Sequence, residues 1–416
     1  MKMRELAEKT NAAYKTFLKD GSTRLKNAVL SSVASLLDAN RDYLKEKNMM
    51  DLEAGKAQGL SEAMLDRLAL NDARIDGMIR SCEEILALPD PVGRIYDMQV
   101  RPEGFRVGKM RVPIGVIGII YEARPNVTIE AATLCLKSGN AVILRGGSSA
   151  YHSNMALMKI LKDALKANGV DEHLLSCPIS TDRNAVDEML QQDDLIHLII
   201  PRGGESLIRR VVEKSRIPVL KHYQGVCHIY VHAQADLAMA EKVAINAKVQ
   251  RPGVCNSMET LLVDAAIADA FLPKTMKALQ DKGVEIRGCE RTRAIGGKSI
   301  KPATEDDYYA EFLDLILAVK VVDNADAAAA HINQYGSGHT DAIITKDIDT
   351  ANAFINNVDS ASVIVNATTR LADGGVYGLG AEIGISTDRL HARGPMGLEE
   401  LTTYKWIVLG EGHIRE

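Results

Sequence analysis

Asn140-Ala141-Val142-Ile143-Leu144-Arg145-Gly146-Gly147-Ser148-Ser149 is the stretch that decides the fold class of this chain. Its Ala, Val, Ile and Leu run without interruption, as a strand does when both of its faces are buried. Two glycines then permit a tight turn, and a helix is expected to follow. Backbone N–H groups at a helix start suit a phosphate or a ribose, and Arg145 adds a fixed charge beside them.

Working outward, Ile199-Ile200-Pro201-Arg202-Gly203-Gly204-Glu205-Ser206 repeats the plan of strand, glycines and helix. Neither segment is G-x-G-x-x-G or a Walker loop, and glycine pairs after strands are common turns. Further apolar runs at 114–120, 195–200, 217–220 and 227–231 alternate with helical stretches, and a second series follows at 260–263, 315–322, 342–345 and 362–366. This alternation predicts parallel sheets covered on both faces, in two consecutive α/β domains with a cleft between them as the natural active site. The first hundred residues read as helices, with Leu25, Val29, Val33, Leu36 and Leu37 at helical spacing after the capping candidates Ser22 and Thr23. Residues 99–112 alternate charge, Gly and β-branched residues around Pro102-Glu103-Gly104, which predicts a long polar hairpin. Such a ribbon is marginal alone, so it is expected to pack on a partner subunit. Residues 404–409, around the single tryptophan Trp406, read as a final strand.

Composition narrows the function classes. A chain of 416 residues exceeds the size of one core. Aromatics are only 4% of residues, which leaves few rings for stacking bases, and a net charge of −5 without like-charge blocks offers no footprint for a polyanion or an acidic membrane. Nucleic acid and membrane are therefore not expected partners. The start, Met1-Lys2-Met3-Arg4-Glu5, is charged rather than apolar, and no run approaches the roughly 18–20 apolar residues of a membrane helix. The six cysteines are widely spaced with no C-x-x-C pair, and no His/Cys/Asp cluster has ligand spacing, so a reducing cytoplasm and no metal are expected.

Two segments carry candidate chemistry. In Val249-Gln250-Arg251-Pro252-Gly253-Val254-Cys255-Asn256-Ser257-Met258-Glu259, Pro-Gly makes a tight turn just before the thiol. Asn256 and Ser257 are cap-type residues able to open a short helix there, and a thiol at a helix N-terminus near Arg251 ionises more readily. Read alone, Cys255 is sooner a small buried hydrophobe than a nucleophile, the commoner fate of cysteine. In Tyr121-Glu122-Ala123-Arg124-Pro125-Asn126-Val127-Thr128, Asn126 follows a strand, where an amide donor can hold an oxyanion or simply cap a helix.

Taken in order, these segments resemble the aldehyde dehydrogenase superfamily over nearly the whole chain. The resemblance makes Cys255 the nucleophile and Asn126 the side chain that helps hold the oxyanion. Leu136-Lys137-Ser138-Gly139-Asn140 and the strand after it are similar to the superfamily strand that ends in a cofactor-binding lysine, replaced here by Arg145. Arg145, Gly146 and Ser148 are thereby implied at the cofactor. Residues 201–206 match the turn beside the pyrophosphate, implying Gly203, Gly204 and Ser206, and Glu311 matches the glutamate on the nicotinamide ribose. His331-Ile332-Asn333-Gln334-Tyr335-Gly336-Ser337-Gly338-His339-Thr340-Asp341 and residues 121–128 resemble signatures of the branch that reduces glutamyl phosphate.

The fold so implied is α/β, aldehyde dehydrogenase-like: two Rossmann-like three-layer domains plus a β-hairpin and C-terminal-strand oligomerisation element. Residues 1–98 and 115–225 would form the NADP-binding domain, 226–400 the catalytic domain, and 99–114 with 401–416 the arm. Hydrolytic relatives place a water-activating glutamate before a Gly-Gly pair, whereas the corresponding Lys221-His222-Tyr223-Gln224-Gly225-Val226 holds no carboxylate. Where NAD-using relatives bind ribose hydroxyls with a glutamate, residues 145–149 offer Arg and Ser, which favours NADPH.

The implied activity is NADPH-dependent reduction of L-glutamate 5-phosphate to the semialdehyde plus phosphate through a Cys255 thioester, the second step of proline biosynthesis. Arg124 and Arg251 are candidates for the substrate anions, His222, His331 and His339 for proton donors or structural hydrogen bonds, and Glu382 for the ammonium or a turn. The expected partners are the small-molecule substrate, further copies of the chain and, as a candidate, the glutamate 5-kinase that would make the acyl phosphate. The competing readings are a hydrolytic NAD(P)-dependent aldehyde dehydrogenase and a non-catalytic relative that keeps the fold.

Overall fold

The computed structural model of the protein describes residues 2–122, 124–178 and 182–415. Five helices open the chain: Met3–Asp20, Thr23–Ala39, Arg41–Ala57, Glu62–Leu68 and Asp72–Ala87. Ser22 caps the second by accepting the Leu25 N–H, and the Val29, Val33 and Leu37 stripe is fully buried, so cap and period act together as the sequence implies.

The chain divides into two units: residues 1–221, 378–384 and 396–416 form the first, and 222–377 with 385–395 the second. In the first, a parallel sheet runs in the order Leu175–Ser176, Ala141–Arg145, Val116–Tyr121, Leu198–Arg202. Every residue of Val116–Tyr121 is buried, the expected fate of an apolar run covered on both faces. The 217–220 run does not add a regular strand. It makes an isolated parallel bridge to Ile199, with Ile199 N–H donating to the Pro218 carbonyl and Leu220 N–H to that of Ile199, because Pro218 brings no N–H for a longer ladder.

The predicted hairpin forms from Ile95–Val100 and Arg106–Pro113, and Thr402–Leu409 pairs antiparallel with Arg106–Pro113 as a third strand. The fully buried Asn140 ties this C-terminal segment down: its amide donates to the Leu401 carbonyl (2.8 Å) while its oxygen accepts the Gly115 N–H (2.8 Å). On the three-stranded sheet Val100, Tyr404, Trp406 and Val408 stand exposed, Trp406 by 61%.

The second unit holds a parallel seven-stranded sheet in the order Lys301–Pro302, Glu285–Gly288, Ile316–Val322, Met258–Asp264, Cys227–Val231, Thr340–Ile344, Ser362–Val365. Alternate residues feed opposite faces: Ile229, Leu261, Val263 and Phe271 pack in one core, Tyr230, Leu262, Ile343 and Phe354 in the other. Among the described residues no helix is long and apolar enough to cross a membrane.

Candidate active site

In the second unit the helix Leu237–Val249 ends, the chain turns through residues 250–257, and it enters the central strand Met258–Asp264. Cys255 lies half-buried in that turn. The short helix expected after it does not form, because its two cap-type residues are already used. The Asn256 amide donates to the Ala372 carbonyl (2.9 Å) and the Ser257 hydroxyl to that of Ala247 (3.2 Å), while the next seven residues are buried in the sheet. Helix-dipole activation of the thiol is therefore withdrawn. Arg370, half-buried, sits within electrostatic reach of Cys255 and Arg251; burial chiefly, then Arg251, holds it below the ordinary arginine range, while Cys255 and Asp373 act the other way.

Gly225 touches the nucleophile's backbone so closely that a Cβ there would lie 2.0 Å from the Cys255 carbonyl oxygen and 2.6 Å from its Cα. The segment that carries the water-activating glutamate in hydrolytic relatives thus lies against Cys255, and residues 222–226 contain no carboxylate. The Cys227 thiol donates to the Cys255 carbonyl (3.2 Å), and its own ionisation is pushed well up by burial. Cys227 reads as a support, not a second nucleophile.

The histidines of the signature segment are structural. His339 is fully buried, bonded through Nδ1 to the Thr340 hydroxyl (2.9 Å), and burial, with His222 adding, pushes it down to about 3. His331, among the rings of His228, Tyr308 and Tyr335, is pushed down to about 2 by burial first and by His228 and Lys320 next. Both imidazoles are neutral at physiological pH. His222 Nδ1 bonds to the Ile385 carbonyl (2.9 Å).

Glu259, four residues beyond the thiol, was not singled out by its sequence context. It is fully buried, paired with the equally buried Lys248 (Nζ to Oε2, 2.6 Å), and its Oε1 accepts the Leu313 N–H (3.3 Å). Burial foremost lifts Glu259 to about 7, with Glu311 adding and Lys248 opposing; burial likewise presses Lys248 down. Because Leu313, at φ 53, belongs to the loop of the half-buried Glu311, this pair fastens that loop to the nucleophile's strand. A charged residue inside an apolar strand run is the one signal by which sequence reasoning could have found Glu259. Arg370 and Gly225 carried no such local mark.

In the first unit Asn126 is the first residue of the helix Asn126–Lys137; Pro125 occupies the cap position, and the Asn126 amide donates to Glu130 Oε1 (2.9 Å). The N-cap alternative therefore falls. Arg124 is exposed just before it. Arg145 closes its strand and donates to the carbonyls of Gly146 and Asp182 (both 3.2 Å). A Cβ on Gly146 would lie 2.2 Å from the Asn154 amide nitrogen, and one on Gly203 2.8 Å from the Glu122 carboxyl carbon. Glu122 also lies 3.4 Å from where a Gly147 Cβ would stand, and its Oε1 accepts the Gly204 N–H (3.3 Å) at the start of the helix Glu205–Lys214. The two glycine turns thus both pack on Glu122, the first against its backbone and the second against its carboxylate. Ser148 and Ser206 are exposed beside them, on the turn Ser148–Ala150 and on the second residue of the helix Glu205–Lys214. A pocket lined by Tyr121, Arg145, Gly146, Tyr151, Asn154 and Met155 adjoins the first turn. Gly204 at a helix start has open space around it, and Arg145 supplies a fixed charge at the first turn; these two features suit the phosphates of a dinucleotide. Among the described residues no group of three His, Cys, Asp or Glu could hold a metal ion.

A profile of the aldehyde dehydrogenase family matches residues 2–293. The gamma-glutamyl phosphate reductase of Thermodesulfovibrio yellowstonii is 57% identical over 400 residues, 96% of either chain, and that of Geobacter metallireducens 55% identical over 394 residues, 95% of this chain and 94% of that one. The crystal structure of the gamma-glutamyl phosphate reductase from Thermotoga maritima superposes with a TM-score of 0.97 at 49% identity, covering 100% of both chains.

Proposed function

Since the chain belongs to the aldehyde dehydrogenase family, with gamma-glutamyl phosphate reductases as full-length relatives, we propose that it reduces L-glutamate 5-phosphate to L-glutamate 5-semialdehyde and phosphate, the second step of proline biosynthesis. The observation that carries the reading is the Gly225 contact: the chain against the Cys255 backbone offers no carboxylate to activate water. A thioester formed there is left for a hydride or for phosphate.

The Cys255 thiolate attacks the acyl carbon; a C–S bond forms, the C–O bond to phosphate breaks, and phosphate leaves with the electron pair. The Asn126 amide and the Cys255 N–H are assigned to the oxyanion. A bound nicotinamide would supply hydride to the thioester carbon. The tetrahedral oxyanion so formed would collapse to the aldehyde, the C–S bond breaking with its electron pair returned to Cys255 as thiolate. Glu311 is assigned to the nicotinamide ribose. Arg145, Gly146, Ser148, Gly203, Gly204 and Ser206 are assigned to the phosphates and the adenosine ribose, where Arg145 favours a 2′-phosphate and hence NADPH over NADH. Arg124 and Arg251 are assigned to the substrate's anions. Residues 1–98 with 115–225 are assigned to binding NADP, 226–400 to catalysis and 99–114 with 401–416 to the arm, working in the cytoplasm on an acyl phosphate that a glutamate 5-kinase supplies. The exposed apolar side chains of the three-stranded sheet are assigned to self-association.

Phosphate-dependent reduction of NADP⁺ by glutamate 5-semialdehyde tests the reading. Aspartate semialdehyde and NAD⁺ are run in parallel. Activity without phosphate would instead identify a hydrolytic enzyme.

A further inference from the structure

The turn Thr369–Leu371 is bolted to the nucleophile turn at two points. The Thr369 hydroxyl donates to the Asn256 carbonyl (2.8 Å), and the Asn256 amide returns a bond to the Ala372 carbonyl (2.9 Å). Arg370, between them, donates its Nε to Gln250 Oε1 (2.9 Å), the residue before Arg251. The guanidinium is thereby held in a fixed place on the turn that carries the nucleophile. Among the described residues no carboxylate makes a salt bridge with it, and Asp373, the acid that acts on it, spends an oxygen on the Gly375 and Val376 N–H groups. Arg251, next in sequence to the Gln250 that Arg370 bonds, bears on it as a like charge, and an anion between the two would relieve that cost.

The substrate of the proposed reaction has two anions to offer. Its phosphate is one oxygen from the carbon that sulfur attacks, whereas its α-carboxylate lies at the far end of the chain. Because the turn that carries Arg370 is bonded to Asn256, the residue next to the nucleophile, the near anion is the one the position fits.

We propose that Arg370, with Arg251, seats the phosphate of the acyl phosphate and holds it as it leaves. As the C–S bond forms and the C–O bond breaks, the departing phosphate carries the electron pair and the added negative charge. A planar guanidinium takes two of its oxygens until it gains a proton from solvent. In reverse, the same seat holds inorganic phosphate for attack on the thioester. This assignment rests on the acyl-phosphate reading above.

The test is kinetic and chemical. In the semialdehyde-to-acyl-phosphate direction, Arg370→Gln is expected to raise the KM for inorganic phosphate about tenfold or more, as loss of a charge-assisted hydrogen bond does, with the KM for the semialdehyde within about twofold. Arg370→Lys, which keeps the charge but loses the planar fork, should fall between. An unchanged phosphate KM, or a semialdehyde KM that rises in its place, overturns the proposal. Separately, inorganic phosphate should slow alkylation of Cys255 by iodoacetamide, read by mass spectrometry, in the unaltered protein and not in Arg370→Gln. Equal protection in both overturns it as well. If NADP⁺ reduction proves independent of phosphate, the acyl-phosphate reading fails, while the alkylation arm still decides the seat.

Discussion

Gly225 is the residue on which the geometry of the thiol turns. Its hydrogen occupies a place from which any side chain would collide with the Cys255 backbone. Gly225→Ala is expected to destabilise the protein by about 1–3 kcal/mol and to lower kcat far more than the equally small change Gly253→Ala, whose Cβ would meet only the Leu313 carbonyl at 3.6 Å. Denaturant melts and initial rates on both variants check this. Asn126→Ala removes a side-chain donor assigned to the oxyanion, and roughly 10²–10³-fold loss in kcat at near-native stability is expected. Full activity would remove Asn126 from the site. Asn126 and Cys255 stood out as turn residues next to strand ends, but their own context left a helix cap and a buried hydrophobe open, and the resemblance supplied their roles. Arg370 did not stand out, since its meaning lies in the Asn256 bonds made across more than a hundred residues of chain.

At the scale of elements, the strand Met258–Asp264 carries an ion pair that its apolar neighbours make expensive. Breaking a buried pair by removing one partner costs about 3–5 kcal/mol, whereas replacing both with apolar residues is often neutral. Lys248→Met alone should therefore lose much more stability than Lys248→Met with Glu259→Leu. Additive losses in urea titrations would contradict the pairing. The double variant should still raise the KM for NADPH, because the Leu313 N–H loses the acceptor that fixes the Glu311 loop. The three-stranded sheet poses a different question. Its face bears Val100, Trp406 and Val408 toward solvent, and Lys109 lies over the Tyr404 and Trp406 rings (4.8 and 5.2 Å). Sedimentation should give a mass above the 45.2 kDa of one chain, and Trp406→Asp with Val408→Asp should return it to that value. A wild-type chain that already sediments at one-chain mass removes the self-association role. The hairpin and the final strand were each legible from alternation and turn residues; that Thr402–Leu409 would pair with Arg106–Pro113 was not, because register between segments three hundred residues apart leaves no local trace.

For the whole molecule, the buried histidines set how stability depends on acid. His331 and His339 have folded pKa values of about 2 and 3, below the ordinary 6.5, so their contribution is present above about 6.5 and is lost as pH falls. Each is expected to remove about 1.4 kcal/mol per pH unit between about 6 and 3, since the unfolded chain takes the proton first. Glu259, raised to about 7, runs the other way: its contribution is full below its ordinary 4.5 and fades as pH rises through 7. Comparing the protein with His331→Gln and His339→Gln isolates the histidine slope. An identical pH profile in the variants would show that neither ring is held neutral.

The sequence by itself determined the class of the fold and the chemistry on offer. Apolar runs followed by glycine turns dictate buried parallel strands with backbone cradles at their ends, and the reactive residue types are spelled out along the chain. Tertiary structure decided how those parts are used. Asn256 and Ser257 could open a helix by every local rule, yet Ala372 and Ala247 offered them carbonyls and the strand after them was drawn into the sheet, so the thiol stands on a turn and not at a helix start. A side chain with several near-equal hydrogen-bonding options is settled by whichever partner the packed core presents, and that partner is distant in sequence.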